Sequence, residues 1–142
     1  IKDNNIRINL SGHPDVVETS GASIRDLKTG RIAGYQPQLG CYSLLRNANG
    51  LQPPSRLIID HVPRSAVSKP HPGATIQIYD TKVCESEART VLREMKSQVI
   101  QFMDTPSPFC FPANPSSIMC SDTYCPAWGT DFCPATIARS QI

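Results

Sequence analysis

Apolar and polar residues alternate along this chain in two rhythms, one of period two and one of period three to four. From Ile6 to Leu10 the order Ile-Arg-Ile-Asn-Leu switches at every residue, as a half-buried strand requires. Ser11-Gly12-His13-Pro14 breaks that run, and Thr29-Gly30 reads as a turn between short extended pieces, so residues 1–40 are expected to form short strands and turns. Arg56 to Val62 is the clearest strand, because Leu57-Ile58-Ile59 are branched and apolar and Pro63, which lacks an N–H, must end it. After a polar, proline-broken connection over 65–73, Thr75 to Tyr79 resumes the β pattern with Ile76 and Ile78 on one face. A hairpin with a long loop follows from this pair. The period then lengthens. Ala88, Val91, Leu92, Met95, Val99, Ile100 and Met103 recur at steps of three and four, which predicts an amphipathic helix over about 85–103. Thr81 or Ser86 is its expected cap, Glu85 and Glu87 suit its positive end, and Thr105-Pro106-Ser107-Pro108 stops it.

The fold class these elements define is α+β, in one domain spanning 1–142. Two regions lack any rhythm. Residues 47–55, Asn-Ala-Asn-Gly-Leu-Gln-Pro-Pro-Ser, read as irregular chain, and residues 108–133, rich in Cys and Pro, read as a cross-linked loop cap. The composition agrees, with 39% apolar residues, 13 Pro and 8 Gly in 142, which leaves a small core for the length.

Six cysteines change the picture of what holds the fold. Cys41, Cys84, Cys110, Cys120, Cys125 and Cys133 are an even set, four of them in the last third. In an oxidising compartment they read as up to three disulfides, each stabilising by about 2–4 kcal/mol. A zinc site and free thiols are the alternatives, although no tight C-x2-C knuckle is present. The polar start Ile1-Lys2-Asp3-Asn4-Asn5 and the lack of a long apolar run give no signal peptide and no transmembrane span. A chain that begins at Ile is expected of a mature product or an excised C-terminal domain. With disulfides it is expected to be a secreted or extracellular protein without membrane insertion, whereas thiols or zinc would suit the cytosol equally.

Charge adds little by itself. The net charge is +2, far from the balance that advertises nucleic-acid binding. Arg46, Arg56, Arg64, Lys69 and Lys82 nevertheless flank the strand pair in sequence and are the candidates for a local basic face.

Candidate chemistry centres on Asp60-His61, at the end of the clearest strand. A neutral imidazole can take a proton from water, and a carboxylate can help hold a divalent cation. Residues at a strand end and a helix start can converge on one ion, and the order β-β-α supplies both. Asp60-His61-Val62-Pro63-Arg64-Ser65-Ala66 resembles the Asp-His-Ile-Pro-Ser signature of HNH-like (ββα-metal) nuclease domains of bacterial polymorphic toxins. The resemblance covers about 35 residues and extends through Gly73-Ala74-Thr75 to the start of the helix. It implies a toxin that hydrolyses nucleic-acid phosphodiesters, with His61 as catalytic general base and Asp60 and Glu87 as metal ligands. It further implies one divalent ion (Mg or Zn), nucleic acid as substrate and an immunity protein as partner. Where the family carries a helix histidine this chain has Cys84, with Glu85 or Glu87 as the replacements. His13 and His71, both beside prolines, read as exposed loop residues.

Other catalytic signatures are absent. There is no phosphate-cradling glycine loop, no G-x-S-x-G elbow, no H-E-x-x-H and no zinc-deaminase pair of elements. The alternative function is a non-catalytic, disulfide-stabilised secreted effector or binding protein, which the lean core and many prolines suit equally well.

Overall fold

The computed structural model describes residues 7, 9–18, 20, 22–29, 34–65, 68–70, 72–107, 110–111, 120–131 and 133. They form an α+β fold in the order β1 (Val16–Val17), β2 (Ser23–Lys28), α1 (Gln36–Ala48), β3 (Arg56–His61), β4 (Thr75–Tyr79) and α2 (Thr81–Asp104). The chain divides into two compact units, Arg7–Arg93 and a second that α2 enters at Glu94.

In the first unit the four strands make one sheet in the order β1-β2-β3-β4. The expected hairpin is there, with β3 and β4 antiparallel and His61 opposite Thr75. β2 and β3 run parallel, with Ile24 opposite Leu57 and Lys28 opposite His61. Parallel neighbours need a crossover, and α1 supplies it. β3 therefore lies between two strands, and Leu57, Ile58 and Ile59 are all buried, as an interior strand demands.

The register sorts the side chains. Ile24, Leu57 and Ile59 share one face and meet Leu39 and Tyr42 of α1 and Cys84 of α2 in the core. Fully burying each large aliphatic chain there contributes about 1.5–3 kcal/mol. Gly40 permits the tightest contact: a Cβ at this position would strike the Cys84 carbonyl and lie 2.9 Å from the Ala88 Cβ. The Ser43 hydroxyl, fully buried, donates to Glu85 Oε1 at 2.6 Å and ties the same two helices. The opposite face carries Val16, Leu27, Ile76 and Ile78, all more than half exposed.

Several expectations need correction. α1 occupies 36–48, replacing the short strands and turns expected up to residue 40 and the irregular chain expected from Asn47. Its apolar positions are few, and Gly40, a poor helix former, sits at its centre. Its stop is orthodox: the Gly50 N–H bonds Asn47 O, the Leu51 N–H bonds Arg46 O, and Gly50 takes φ +73°. Arg7, Asn9 and Leu10 are not in a strand, while Ile6 and Ile8 of that expected run, like Gly30 and His71, lie outside the described residues. Neither Thr81 nor Ser86 caps α2. Asp80 does, accepting the Val83 N–H at 2.9 Å, and Thr81 bonds the Pro54 carbonyl instead. On α2 itself only Cys84 and Ala88 are buried, and Val91, Met95 and Met103 of the apolar stripe stay exposed.

In the second unit the end of α2 packs the Phe102 ring against Phe111, with centroids 5.5 Å apart. The chain then turns through backbone bonds from Cys110 to Ser107, Cys125 to Ser121, Trp128 to Cys125 and Cys133 to Thr130. Cys110 and Cys133 are buried. All six cysteines are free thiols in the structure.

Candidate functional site

Asp60 and His61 are adjacent in β3, so their side chains leave opposite faces of the sheet. Asp60 joins the exposed face. Arg25, one row away on β2, holds it in a two-point ion pair, with Nε to Oδ2 at 2.8 Å and Nη2 to Oδ1 at 2.6 Å. The two hydrogen bonds from Arg25 hold the Asp60 carboxyl below the usual carboxylate range, and the same contact raises the guanidinium. Both carboxylate oxygens are thus engaged by a fixed cation.

His61 faces the helices and is only 7% exposed. Beside it in register stands Lys28, whose ammonium contacts Asp26 Oδ2 and lies 5.2 Å from the centre of the Tyr35 ring. Asp26 is buried. Its Oδ1 accepts from Tyr42 Oη and Gln38 Nε2, each at 3.4 Å, and Gln38 also donates to Tyr42 Oη at 2.7 Å. Among the described residues, Oδ2 meets the Lys28 ammonium and no other donor. These polar groups sit at the carboxyl ends of the two parallel strands, where open α/β sheets hold ligands. Here Asp26, Lys28, Gln38 and Tyr42 are turned on one another.

Glu87, the second expected metal ligand, is exposed on α2, while Cys84 lies in the core. Burial pushes the Cys84 thiol up to about 11, with Glu87 and Asp80 adding to the effect. Glu85 is occupied by Ser43. Among the described residues no three His, Cys, Asp or Glu side chains converge as a metal site would require. The donor set expected for a divalent ion therefore does not fit: His61 and Asp60 face apart, and the remaining carboxylates serve other partners or none. Two of the expected basic residues lie far apart. Arg56 opens β3 and Arg64 lies beyond its far end, roughly 17 Å of strand away, where its Nε meets Thr29 Oγ1 at 3.2 Å. Arg46 bonds the Gln52 carbonyl. His13 is exposed, as expected.

Sequence reasoning missed Arg25, Asp26, Lys28, Gln38 and Tyr42. The alternation Arg25-Asp26-Leu27-Lys28 carries a signal, since it puts charges on both faces of a strand, but their partners depend on the β2–β3 register. No helix among the described residues is long and apolar enough to cross a membrane.

No protein-family model, no curated protein and no solved structure matches this chain.

Proposed function

We propose that this chain is a non-catalytic binding protein. The observation that carries this reading is the separation of Asp60 and His61 on opposite faces of β3, with Asp60 locked to Arg25. Metal-assisted phosphodiester hydrolysis needs a base and a carboxylate around one ion, and the arrangement supplies neither the convergence nor a free carboxylate beside His61. The polar cluster of Asp26, Lys28, Gln38 and Tyr42 is engaged with itself, Asp26 meeting Lys28, Gln38 and Tyr42. Exposed apolar residues on the sheet, Val16, Leu27, Ile76 and Ile78, are consistent with a protein that works by contact.

The test is cleavage of plasmid DNA and of RNA by the purified chain with magnesium, manganese or zinc, beside His61→Ala. No cutting by the folded wild type is the expected result. Metal-dependent cutting that His61→Ala abolishes would restore the HNH-like nuclease reading and overturn this one.

A further inference from the structure

Away from β3, the first unit contains a groove of about 670 Å3. One wall is the strap at Asn9 and Leu10, the floor is Leu44, Leu45 and Ala48 of α1, and the far side is Arg89 of α2. The strap is held on α1 by contact, since a Cβ on Gly12 would lie 3.1 Å from the Tyr42 ring and 3.7 Å from Leu45 Cδ1. The α1–α2 crossing at Gly40 and the Ser43–Glu85 bond fix the opposite wall one turn before Arg89. The groove is thus an open depression bordered by packed elements.

Its chemistry is lopsided. Four apolar residues, Leu10, Leu44, Leu45 and Ala48, line it with a single cation, which has no side-chain partner among the described residues. The Arg89 side chain makes no ion pair or hydrogen bond to another described residue, and its neighbour Glu85, one turn earlier, is turned to Ser43. An exposed guanidinium beside an apolar trough is complementary to a ligand with one anionic end and one apolar end. A planar carboxylate matches the guanidinium fork with two parallel hydrogen bonds. The volume falls within the 300–1,000 Å3 or so of small-molecule sites. A folded partner would need roughly 800 Å2 of surface on each side, far more than this groove offers.

We propose that this groove binds a carboxylate-headed acyl chain, with the carboxylate on Arg89 and the chain along Leu10, Leu44, Leu45 and Ala48. Asn9 and Asn47 also line the groove. The proposal deepens the reading of the chain as a binding protein and rests on it.

Laurate below its micellar concentration is the probe, titrated into the full chain and into Arg89→Gln by calorimetry at low salt, with dodecanol as the uncharged control. Arg89 is exposed, so the variant is expected to fold. Laurate should bind the wild type at least tenfold more tightly than Arg89→Gln, and dodecanol should bind the two equally. Ala48→Phe, which fills the trough from an exposed helix position, should weaken both ligands. Equal laurate affinity in wild type and Arg89→Gln overturns the proposal, as does an unchanged affinity in Ala48→Phe. An acidic amphipathic peptide that binds where laurate does not also overturns it. The cleavage assay separates the two levels: no laurate binding by a chain that cuts nothing overturns the groove alone, whereas His61-dependent cutting overturns the non-catalytic reading and leaves the groove to the laurate titration.

Discussion

Gly40 of α1 and Cys84 of α2 touch backbone to backbone, so closely that glycine is the residue the contact admits. The constraint is steric rather than conformational, because Gly40 has ordinary helical dihedrals, whereas Gly50 has φ +73° and open space around it. Gly40→Ala must push the helices apart, and because the obstacle is backbone it should cost about 3 kcal/mol or more. Gly50→Ala should cost only about 1–2 kcal/mol, for its left-handed conformation. Urea unfolding of both variants checks the order. Equal losses would mean that the helices do not cross at Gly40.

The Arg25–Asp60 pair predicts an acid limb in the stability profile. A carboxylate held below its unfolded value stabilises the fold above that value, near pH ~3.9, and the contribution disappears as pH falls through the folded value. Asp60→Asn should therefore lower the unfolding midpoint at pH 7 and converge with wild type once the pH has fallen through the folded value. The effect at pH 7 should be small, since the pair is partly exposed, and salt should reduce it. A difference that persists unchanged at pH 2 would assign the loss to packing instead.

Thiol reactivity offers an independent check on the core. At pH 8 a thiol with a pKa of about 11 is thiolate in roughly one molecule in a thousand, and Cys84 is also fully buried. Iodoacetamide should therefore label half-buried Cys120 and Cys125 in the native chain and reach Cys84 only on unfolding. Peptide mapping by mass reads this directly. Native-state labelling of Cys84, or its recovery in a disulfide, would contradict its place beneath α1.

What could be read from the sequence was local. The Leu57-Ile58-Ile59 run, the Ile76/Ile78 alternation and the stop at Pro106 each speak through their neighbours, and the hairpin and α2 stand where those signals put them. α1 escaped because its buried side is only Leu39, Gly40, Tyr42 and Ser43, two of them small and without a hydrophobic signal. The site was misjudged for a different reason. Asp60 and His61 are neighbours in sequence, but a strand sends them to opposite faces. The partner that claims Asp60 is Arg25, 35 residues earlier, brought near by a parallel register that no local pattern encodes.

His61 itself is the last residue to test, because two readings predict opposite results for one substitution. In a nuclease, His61→Ala would abolish activity and leave stability nearly intact. Here the imidazole is 7% exposed, on the core side of the sheet beside Lys28 and in line with Ile59 and Leu57. Removing it opens space at the edge of the core and strips a buried polar group of its place among neighbours. The expected cost is about 1–3 kcal/mol in chemical denaturation. His61→Gln, which keeps most of the volume and one donor, should recover part of that loss. If both variants are as stable as wild type, His61 is not part of the packed sheet, and a solvent-facing catalytic role becomes the better account of why a histidine stands at the end of β3.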